Sequence, residues 1–195
     1  FLANNKLNLK QYMDVRKHTK KKIDALSNRD ALTSLPNRTA FLETVAFAIN
    51  RASRTNKKLA VIFIDLDRFK RINDTISREA GDQILQVIAE RIKSLLRPVD
   101  LLSRLSADEF VVLLDEQQDL QYVGIFTQRI LDAISEPCNI HDQLFHITAS
   151  AGISLYPTDA RTGIALLKHA DIAMFRAKEV GKNSYQYFNE RMNSH

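Results

Sequence analysis

The chain has 195 residues, 45% hydrophobic and 26% charged, a composition typical of one well-packed globular domain with a short appendage. No apolar run approaches the roughly 18 residues that a membrane-spanning helix needs. The single cysteine, Cys138, excludes an internal disulfide and suits a reducing compartment. The net charge of +5 fits a nucleotide, nucleic acid or anionic membrane equally well. The expected location is the cytoplasm, for a free protein or for the cytoplasmic part of a membrane-anchored one.

The N-terminal segment, residues 2–26, is helical in composition, since it contains neither Gly nor Pro. Written as heptads, its core positions are apolar at Leu2, Leu9, Tyr12, Ile23 and Leu26 and polar at Asn5, Arg16 and Thr19. This pattern is that of a weak coiled coil. Two interpretations remain open: a signalling helix that relays from an upstream sensor, or a linker that packs on a neighbour.

Further elements follow from apolar periodicity and turn residues. They are a helix opened by Pro36, a strand at 59–66, a helix at 82–96, a hairpin of strands 101–105 and 110–114, a helix at 120–134, a strand at 145–155 bent at Gly152, a helix at 164–178 and a short strand at 185–188. Their order predicts an α+β fold. Its central, mostly antiparallel sheet is flanked by helices, as in ferredoxin-like domains.

Acidic residues stand at two points where apolar strands end. Asp65 and Asp67 close the apolar run that begins at Val61, and Asp108 with Glu109 lies at the tip of the predicted hairpin. Carboxylates from neighbouring strands suit a magnesium–triphosphate site, because this hard cation prefers oxygen ligands and bridges phosphate oxygens. Taken alone, the pair at the hairpin would be interpreted as a solvated acidic turn.

Six colinear segments carry a family resemblance. They are D-A-L-T-S-L-P-N-R (30–38), F-I-D-L-D-R-F-K-R-I-N-D (63–74), A-G-D (80–82), R-L-S-A-D-E-F (104–110), T-A-S-A-G-I-S (148–154) and A-D-I-A-M-F-R-A-K-E-V-G-K-N (170–183). In this order and spacing the chain resembles a GGDEF domain, the diguanylate cyclase family that condenses two GTP molecules into cyclic di-GMP. The resemblance implies a nucleotidyl cyclase palm fold. It divides the chain into a linker (1–27), the domain (28–188) and the start of a second linker (189–195).

The resemblance also assigns roles to the acidic residues. Asp65, with the carbonyl of Leu66, would bind Mg²⁺ or Mn²⁺, and Asp108 would be the second carboxylate ligand. Glu109 would contact the metal or help to deprotonate the 3′-hydroxyl that attacks the second GTP. Asp108 and Glu109 are thus the expected catalytic pair.

Other positions match the family's contacts to nucleotides. Asn73 and Asp82 match the residues that recognise guanine, although an Asn-Asp sequence is otherwise typical of a turn or helix cap. Lys70, Lys178 and Lys182 match contacts to the triphosphate. Arg97 and Asp100, an R-x-x-D pair, match the inhibitory site where the product binds, with a surface ion pair as the alternative.

The chain departs from the family at the signature loop, where Ser106 and Ala107 replace two glycines. If these positions need a left-handed backbone, alanine there costs on the order of 1 kcal/mol, and its methyl group occupies space near the nucleotide. We therefore expect a domain that binds GTP and cyclic di-GMP, turns over weakly or not at all, and regulates an attached domain. An active diguanylate cyclase is the alternative.

Partners expected from the resemblance are an upstream sensor, a second copy of the chain, and a downstream EAL phosphodiesterase domain. The last is suggested by F-N-E-R-M-N at residues 188–193, which resembles the connection found in GGDEF–EAL hybrids. A nucleic-acid-binding module of ferredoxin-like fold is a remote alternative, because no strand carries the aromatic pattern of RNA-recognition domains. No nucleic-acid partner is expected.

Overall fold

A computed structural model describes residues 2–117 and 119–194. Its α-helices are α1 (Leu2–Asn28), α2 (Arg38–Thr55), α3 (Phe69–Thr75), α4 (Arg78–Leu95), α5 (Gln121–Ser135) and α6 (Gly163–Glu179). Its strands are β1 (Lys58–Leu66), β2 (Leu101–Ser106), β3 (Glu109–Gln117), β4 (Cys138–Ile140), β5 (Gln143–Phe145), β6 (Ala149–Tyr156) and β7 (Tyr185–Tyr187). A 3₁₀ helix, Glu190–Ser194, follows β7.

Five strands form one sheet in the order β2-β3-β1-β6-β7. All neighbours are antiparallel except β6 and β7, which are parallel. Helices cover both faces of the sheet, so the predicted α+β fold with a mostly antiparallel central sheet is confirmed. Strand β1 is buried along almost its whole length, since it lies at the centre of the sheet between two helical layers.

The side chains of β1 point alternately into two separate apolar clusters. Ile62, Ile64 and Leu66 face a cluster that includes the buried sides of α4 and α5. Val61 and Phe63 face the opposite cluster, built with α2 and α6. Because successive side chains of a strand point to opposite faces, β1 contributes to both clusters. Its C-terminal end is therefore held rigidly between them.

Two helices begin two or more residues away from the positions predicted from the sequence. The first begins at Arg38 rather than at Pro36, because the side chain of Asn37 accepts a hydrogen bond from the backbone N–H of Ala40 and caps it. The helix predicted at 82–96 begins at Arg78, where Ser77 is the cap. In both cases a short polar side chain that satisfies a free N–H defines the first turn.

The strand predicted at 145–155 is also wrong in its extent. Gln143–Phe145 forms β5, which pairs with β4 in a separate two-stranded hairpin, and β6 begins only at Ala149. Gly152 does not bend β6, since it pairs in register with Phe63 of β1. A side chain at Gly152 would collide with the backbone of α6 at Ala170 and Met174. Glycine is needed there because helix and strand approach closely.

Helix α1 carries exposed apolar side chains. Leu9, Tyr12 and Ile23 are each 58–65% exposed. The side chains of Leu2, Asn5 and Leu26 lie outside the described residues. The coiled coil itself stays a prediction. None of the helices in the described parts of the chain has the length and apolarity to cross a membrane.

Candidate functional site

The acidic end of β1 meets the acidic hairpin. Asp65 lies directly opposite Glu109, the first residue of β3, in antiparallel register. The backbone N–H of Leu66 donates to the carbonyl oxygen of Asp108 over 3.1 Å. The two acidic segments that the sequence predicted to be neighbours are thus adjacent, with Glu109 rather than Asp108 facing Asp65 across the ladder.

At this edge of the sheet, which Asp65, Asp108 and Glu109 form, burial and neighbouring charges raise the pKa of two carboxylates. Burial, and then the charges of Asp108 and Glu109, raise the pKa of Asp65 to about 6, although Lys178 acts to lower it. Burial and the neighbouring Glu109 also raise the pKa of Asp108. Negative charge is therefore concentrated beyond what the local cation neutralises.

Lys178, predicted to contact triphosphate, lies among these carboxylates. Its Nζ is 2.7 Å from Oδ1 of Asp65 and 3.2 Å from Oδ1 of Asp67. Its last-turn position on α6 directs a cation to the end of β1. Lys178 therefore partly neutralises the cluster.

Asp67 differs from Asp65 in its surroundings. Strand β1 ends at Leu66, and the carboxylate of Asp67 accepts hydrogen bonds from Thr148 Oγ1 and Ser150 Oγ at 2.7 Å each, and from the backbone N–H of Asn183 at 3.0 Å. Burial acts to raise its pKa, but these bonds and Lys178 lower it overall. Asp67 thus joins the end of β1 to β6 and to the loop after α6.

The acidic residues at this edge suit a divalent cation by their charge and their oxygen donors. Within residues 2–117 and 119–194, no group of three or more His, Cys, Asp or Glu side chains is already arranged to hold a metal ion. Asp65, Asp108 and Glu109 do supply hard oxygen donors, and the raised pKa of Asp65 is what a nearby dication would reverse. These are the residues available to hold Mg²⁺ or Mn²⁺.

The signature loop is a tight hairpin turn between β2 and β3. Ser106 pairs with Glu109 across it, with an irregular register between Arg104 and Ser106. Neither Ser106 nor Ala107 has a positive φ. The expectation of a left-handed backbone cost at these positions is therefore wrong, because the register irregularity accompanies a turn that an L-residue adopts freely. The replacement of the two glycines therefore adds two exposed side chains at the tip of the hairpin and no backbone strain.

Arg104 braces this turn, a role that the sequence analysis missed. Its guanidinium donates to the carbonyl oxygens of Ser106 at 3.1 Å and Ala107 at 2.9 Å. It also donates to both carboxylate oxygens of Asp30 at 3.0 Å. Asp30 follows α1 closely, so one arginine connects the signature loop to the end of the N-terminal helix. The sequence contained a signal for this contact, since Asp30 and Arg104 both lie in motifs that carry the family resemblance.

Asn73 lies inside α3 and caps neither end of it, so the turn or cap interpretation is wrong. Its Oδ1 is buried and has no hydrogen-bond partner within the described part of the chain. A side chain at Gly81 would collide with that oxygen, so glycine on α4 leaves room for it. Asp82 follows Gly81 and is half-buried. An unsatisfied amide next to a carboxylate can recognise a polar base edge.

The other two predicted triphosphate lysines, Lys70 and Lys182, take no part in the ion pairs that Lys178 forms with Asp65 and Asp67. Lys70 is exposed on α3, and Lys182 is half-buried in the loop after α6, where it has a φ of 63°. Neither forms an ion pair within the described residues. Their cationic groups are therefore available to an anion.

Arg97 and Asp100 are bound to each other. Two nitrogens of the Arg97 guanidinium donate to the Asp100 carboxylate at 3.0 and 3.1 Å, and Nη2 also donates to the carbonyl of Asp115. The side chain of Asp100 is 1% exposed and that of Arg97 is 47% exposed. The arginine thus keeps an accessible face, whereas the aspartate orients it.

Asp171 of α6 is a further carboxylate near this edge, and the sequence analysis did not identify it. Burial and then the charge of Glu109 raise its pKa, and Arg38 acts to lower it. Only the packing of α6 against β1 and β6 brings it near Glu109, so no local pattern could have indicated it.

A sequence model described as "Diguanylate cyclase, GGDEF domain" matches residues 27–184. The chain belongs to the GGDEF family. This GGDEF domain is 39% identical, over 90% of its length, to the cyclic di-GMP phosphodiesterase NbdA of Pseudomonas aeruginosa. It is 38% identical, over 87% of its length, to the bifunctional diguanylate cyclase/cyclic di-GMP phosphodiesterase MucR of the same organism. It spans 22% and 24% of those two proteins.

A solved structure of the GGDEF domain of TpbB from Pseudomonas aeruginosa superposes on this chain with a TM-score of 0.83 and 38% identity. The alignment covers 85% of this chain and 96% of the TpbB domain. The fold and the colinear motifs therefore place this protein in cyclic di-GMP signalling, as a GGDEF domain.

The Asp65→Asn variant is expected to be more stable than the unmodified domain at neutral pH. Because the pKa of Asp65 is raised from 3.8 to about 6, the folded state binds this proton more tightly than the unfolded state. The free energy of unfolding therefore falls as pH rises from about 4 to 6 and stays lower above. Asparagine carries no charge, so we expect a gain of about 1–2 kcal/mol at pH 7.5 that vanishes near pH 4.

Thermal or urea unfolding at several pH values measures this difference, with Asp132→Asn, an exposed position on α5, as the matched control. A stability difference between the Asp65→Asn variant and the unmodified domain that does not change with pH would contradict the prediction.

Proposed function

We propose that this GGDEF domain binds GTP together with Mg²⁺ or Mn²⁺ at the end of β1, that it binds cyclic di-GMP, and that it regulates an attached domain while turning GTP over weakly or not at all. The observation that supports this most is that Asp65, Asp108 and Glu109 are adjacent at the end of β1. The pKa values of Asp65 and Asp108 are raised there, which favours a dication. When bound, the metal would neutralise phosphate charge and polarise a phosphoryl oxygen.

Asp65, the carbonyl of Leu66, Asp108 and Glu109 would hold the metal. Lys178 would then exchange its ion pair with Asp65 for one with a phosphate, since its long side chain can turn toward an anion. Glu109 would assist removal of the proton from the 3′-hydroxyl. These assignments use the groups already at the edge and require no rearrangement of the sheet.

The guanine base would be recognised by Asn73 and Asp82. The unpaired Oδ1 of Asn73 can accept a hydrogen bond, and the carboxylate of Asp82 can accept from two N–H groups of the base. Lys70 and Lys182 would contact the triphosphate together with Lys178. A buried acceptor that stays unsatisfied costs about 1–3 kcal/mol, which a bound base would recover.

Two side chains, rather than a strained backbone, would limit turnover. Ser106 and Ala107 add a hydroxymethyl and a methyl group at the tip where the family has hydrogen atoms. The relaxed φ values of the loop also favour a second candidate function, an active diguanylate cyclase in which the two side chains are tolerated. Incubation with GTP and magnesium, followed by analysis for cyclic di-GMP, separates these two functions.

The proposal extends to the protein's partners and location. The exposed apolar face of α1 suits a second copy of the chain and a signal from an upstream sensor, and the tail suits connection to an EAL phosphodiesterase domain. The proposed boundaries are a linker at 1–27, the domain at 28–188 and a second linker from 189. The proposed location is the cytoplasm, where GTP is available.

Arg97→Ala is expected to weaken binding of cyclic di-GMP by about 10- to 100-fold, because a charged donor that can form two hydrogen bonds to a phosphate or guanine edge is lost. Calorimetry with the isolated domain measures this, with Arg54→Ala, an exposed arginine at the end of α2, as the control. Absence of saturable binding by the unmodified domain would leave Arg97 and Asp100 as a surface ion pair.

A further inference from the structure

Strand β7 is an outer strand of the main sheet, since it pairs with β6 on one side and ends the order β2-β3-β1-β6-β7. The residues that flank β7, Ser184 and Phe188, bond to β6 through a backbone carbonyl and a backbone N–H. Backbone groups alternate in direction along a strand, so those of Tyr185 and Tyr187 point away from β6. The outer side of β7 therefore presents the N–H and carbonyl groups of two residues.

These outward groups are available to another strand. Among the described residues, the backbone groups of Tyr185 and Tyr187 have no hydrogen-bond partner on the outer side of β7. The phenol of Tyr187 donates to the carbonyl oxygen of Leu120 over 3.2 Å, which fixes the strand against the start of α5. A fixed strand with unpaired backbone groups is a template for a further strand.

A groove of about 1020 Å³ lies next to β7, on the side of the sheet that α6 covers. Gln186, between the two tyrosines, lines it, because successive side chains of a strand point to opposite faces. One face of α6 and the tail after Phe188 form the rest of the groove. A strand added beside β7 would therefore direct every second side chain toward this groove.

Apolar side chains lie within the groove. Phe175 of α6 is 61% exposed, and the half-buried Ile172 and Met192 line the same surface. An exposed aromatic ring next to two other apolar side chains marks a surface that another molecule covers. An apolar side chain of an added strand would remove the Phe175 ring from water.

The charged residues of the groove favour an acidic occupant. Arg176 and Glu179 pair with each other at 3.1 Å. Lys168, Asp171 and Arg191 also line the groove and form no ion pair within the described part of the chain. Two unpaired cations thus stand against one carboxylate, and this excess of positive charge attracts acidic side chains.

We propose that β7 and this groove bind an extended, acidic segment of a partner protein, which adds to the sheet as a further strand. Its backbone pairs with Tyr185 and Tyr187, an apolar side chain covers Phe175, and acidic side chains contact Lys168 and Arg191. In strand addition the backbone bonds supply affinity and the alternate side chains supply specificity. These residues hold no metal, nucleotide or product in the function proposed above, so the surface goes beyond that function.

The test is fluorescence anisotropy with a labelled seven-residue peptide, threonine at odd positions and glutamate, isoleucine and glutamate at even ones. We expect saturable binding that falls about tenfold in Phe175→Ala, because the apolar contact is lost. Binding also falls in Arg191→Gln. The control is Phe47→Ala, which removes an exposed ring from α2 and leaves binding unchanged. No saturable binding, or an equal loss in Phe47→Ala, would overturn the proposal.

Hydrogen exchange measured by NMR separates strand addition from binding through side chains alone. In the complex, the amide hydrogens of Tyr185 and Tyr187 are expected to exchange at least about tenfold more slowly, because each donates to the peptide backbone. A peptide methylated at the backbone nitrogens that face β7 is expected not to bind. Unchanged exchange at both tyrosines, or undiminished binding of the methylated peptide, would contradict an added strand.

Two further measurements identify the occupant. A peptide with lysine in place of glutamate is expected to bind at least about tenfold more weakly at low salt, and equal binding would refute the acidic segment. A second copy of this chain is the other occupant that could pair with β7. Sedimentation would reveal it as a dimer that Phe175→Ala abolishes and the peptide dissociates, which would overturn the partner segment. A monomer, or a dimer that neither change affects, would support it.

Discussion

The Asp65→Ala variant is expected to lose magnesium-dependent GTP binding, with affinity reduced by at least about 100-fold, or about 2.7 kcal/mol. Asp65 is the carboxylate at the centre of the edge, since Glu109 faces it across the ladder and Lys178 contacts it at 2.7 Å. Removing it leaves Asp108 and Glu109 with too few ligands on the β1 side to fix a cation.

Calorimetry with GTP, with and without magnesium, measures this loss. Asp132→Ala on the exposed side of α5 is the matched control and is expected to bind as the unmodified domain does. Equal GTP affinity with and without magnesium, or an undiminished affinity in Asp65→Ala, would refute the proposed metal edge.

The double change Ser106→Gly with Ala107→Gly is expected to create or raise diguanylate cyclase activity when two domains are held face to face by a fused dimeriser. It removes the two exposed side chains at the hairpin tip and leaves Asp108, Glu109 and the bracing Arg104 in place. The gain would come from room for nucleotide, because the backbone at both positions is already relaxed.

Stability provides an independent measure of the same change. Because neither position has a positive φ, the glycines increase the freedom of the unfolded chain and relieve no strain, so the domain should lose roughly 0.5–1 kcal/mol per glycine. Higher stability would show that the turn was strained after all. Robust synthesis of cyclic di-GMP by the unmodified domain would instead favour the active-cyclase alternative, and Asp65→Ala in the double-glycine background is the inactive control.

The sheet and its long helices were predictable because burial leaves a strong periodic pattern. Strand β1 is a continuous apolar run between two helical layers, and α4 and α5 each carry one broad apolar face. Helix α3 and the β4–β5 hairpin were missed, since elements of seven and three residues are too short for a period to show. Their formation depends on tertiary contacts such as the burial of Phe69.

The candidate site was predictable only in part. The neighbouring positions of Asp65 and Glu109 follow from strand order, which the motifs implied. The different role of Asp67 does not, because its partners Thr148, Ser150 and Asn183 are more than 80 residues away. The relaxed turn at Ser106 and Ala107 likewise depends on a register irregularity that composition does not reveal.

The position of Lys178 has a consequence for the order in which ligands bind. Its ammonium group acts as an internal counter-ion for Asp65 and Asp67, so a free dication has to displace it from Asp65 and leaves it only the longer contact with Asp67. A dication that arrives with a triphosphate offers the displaced lysine a new anion. Metal and nucleotide are therefore thermodynamically coupled: each raises the affinity for the other, and the ligand that the domain selects is the complex of the two.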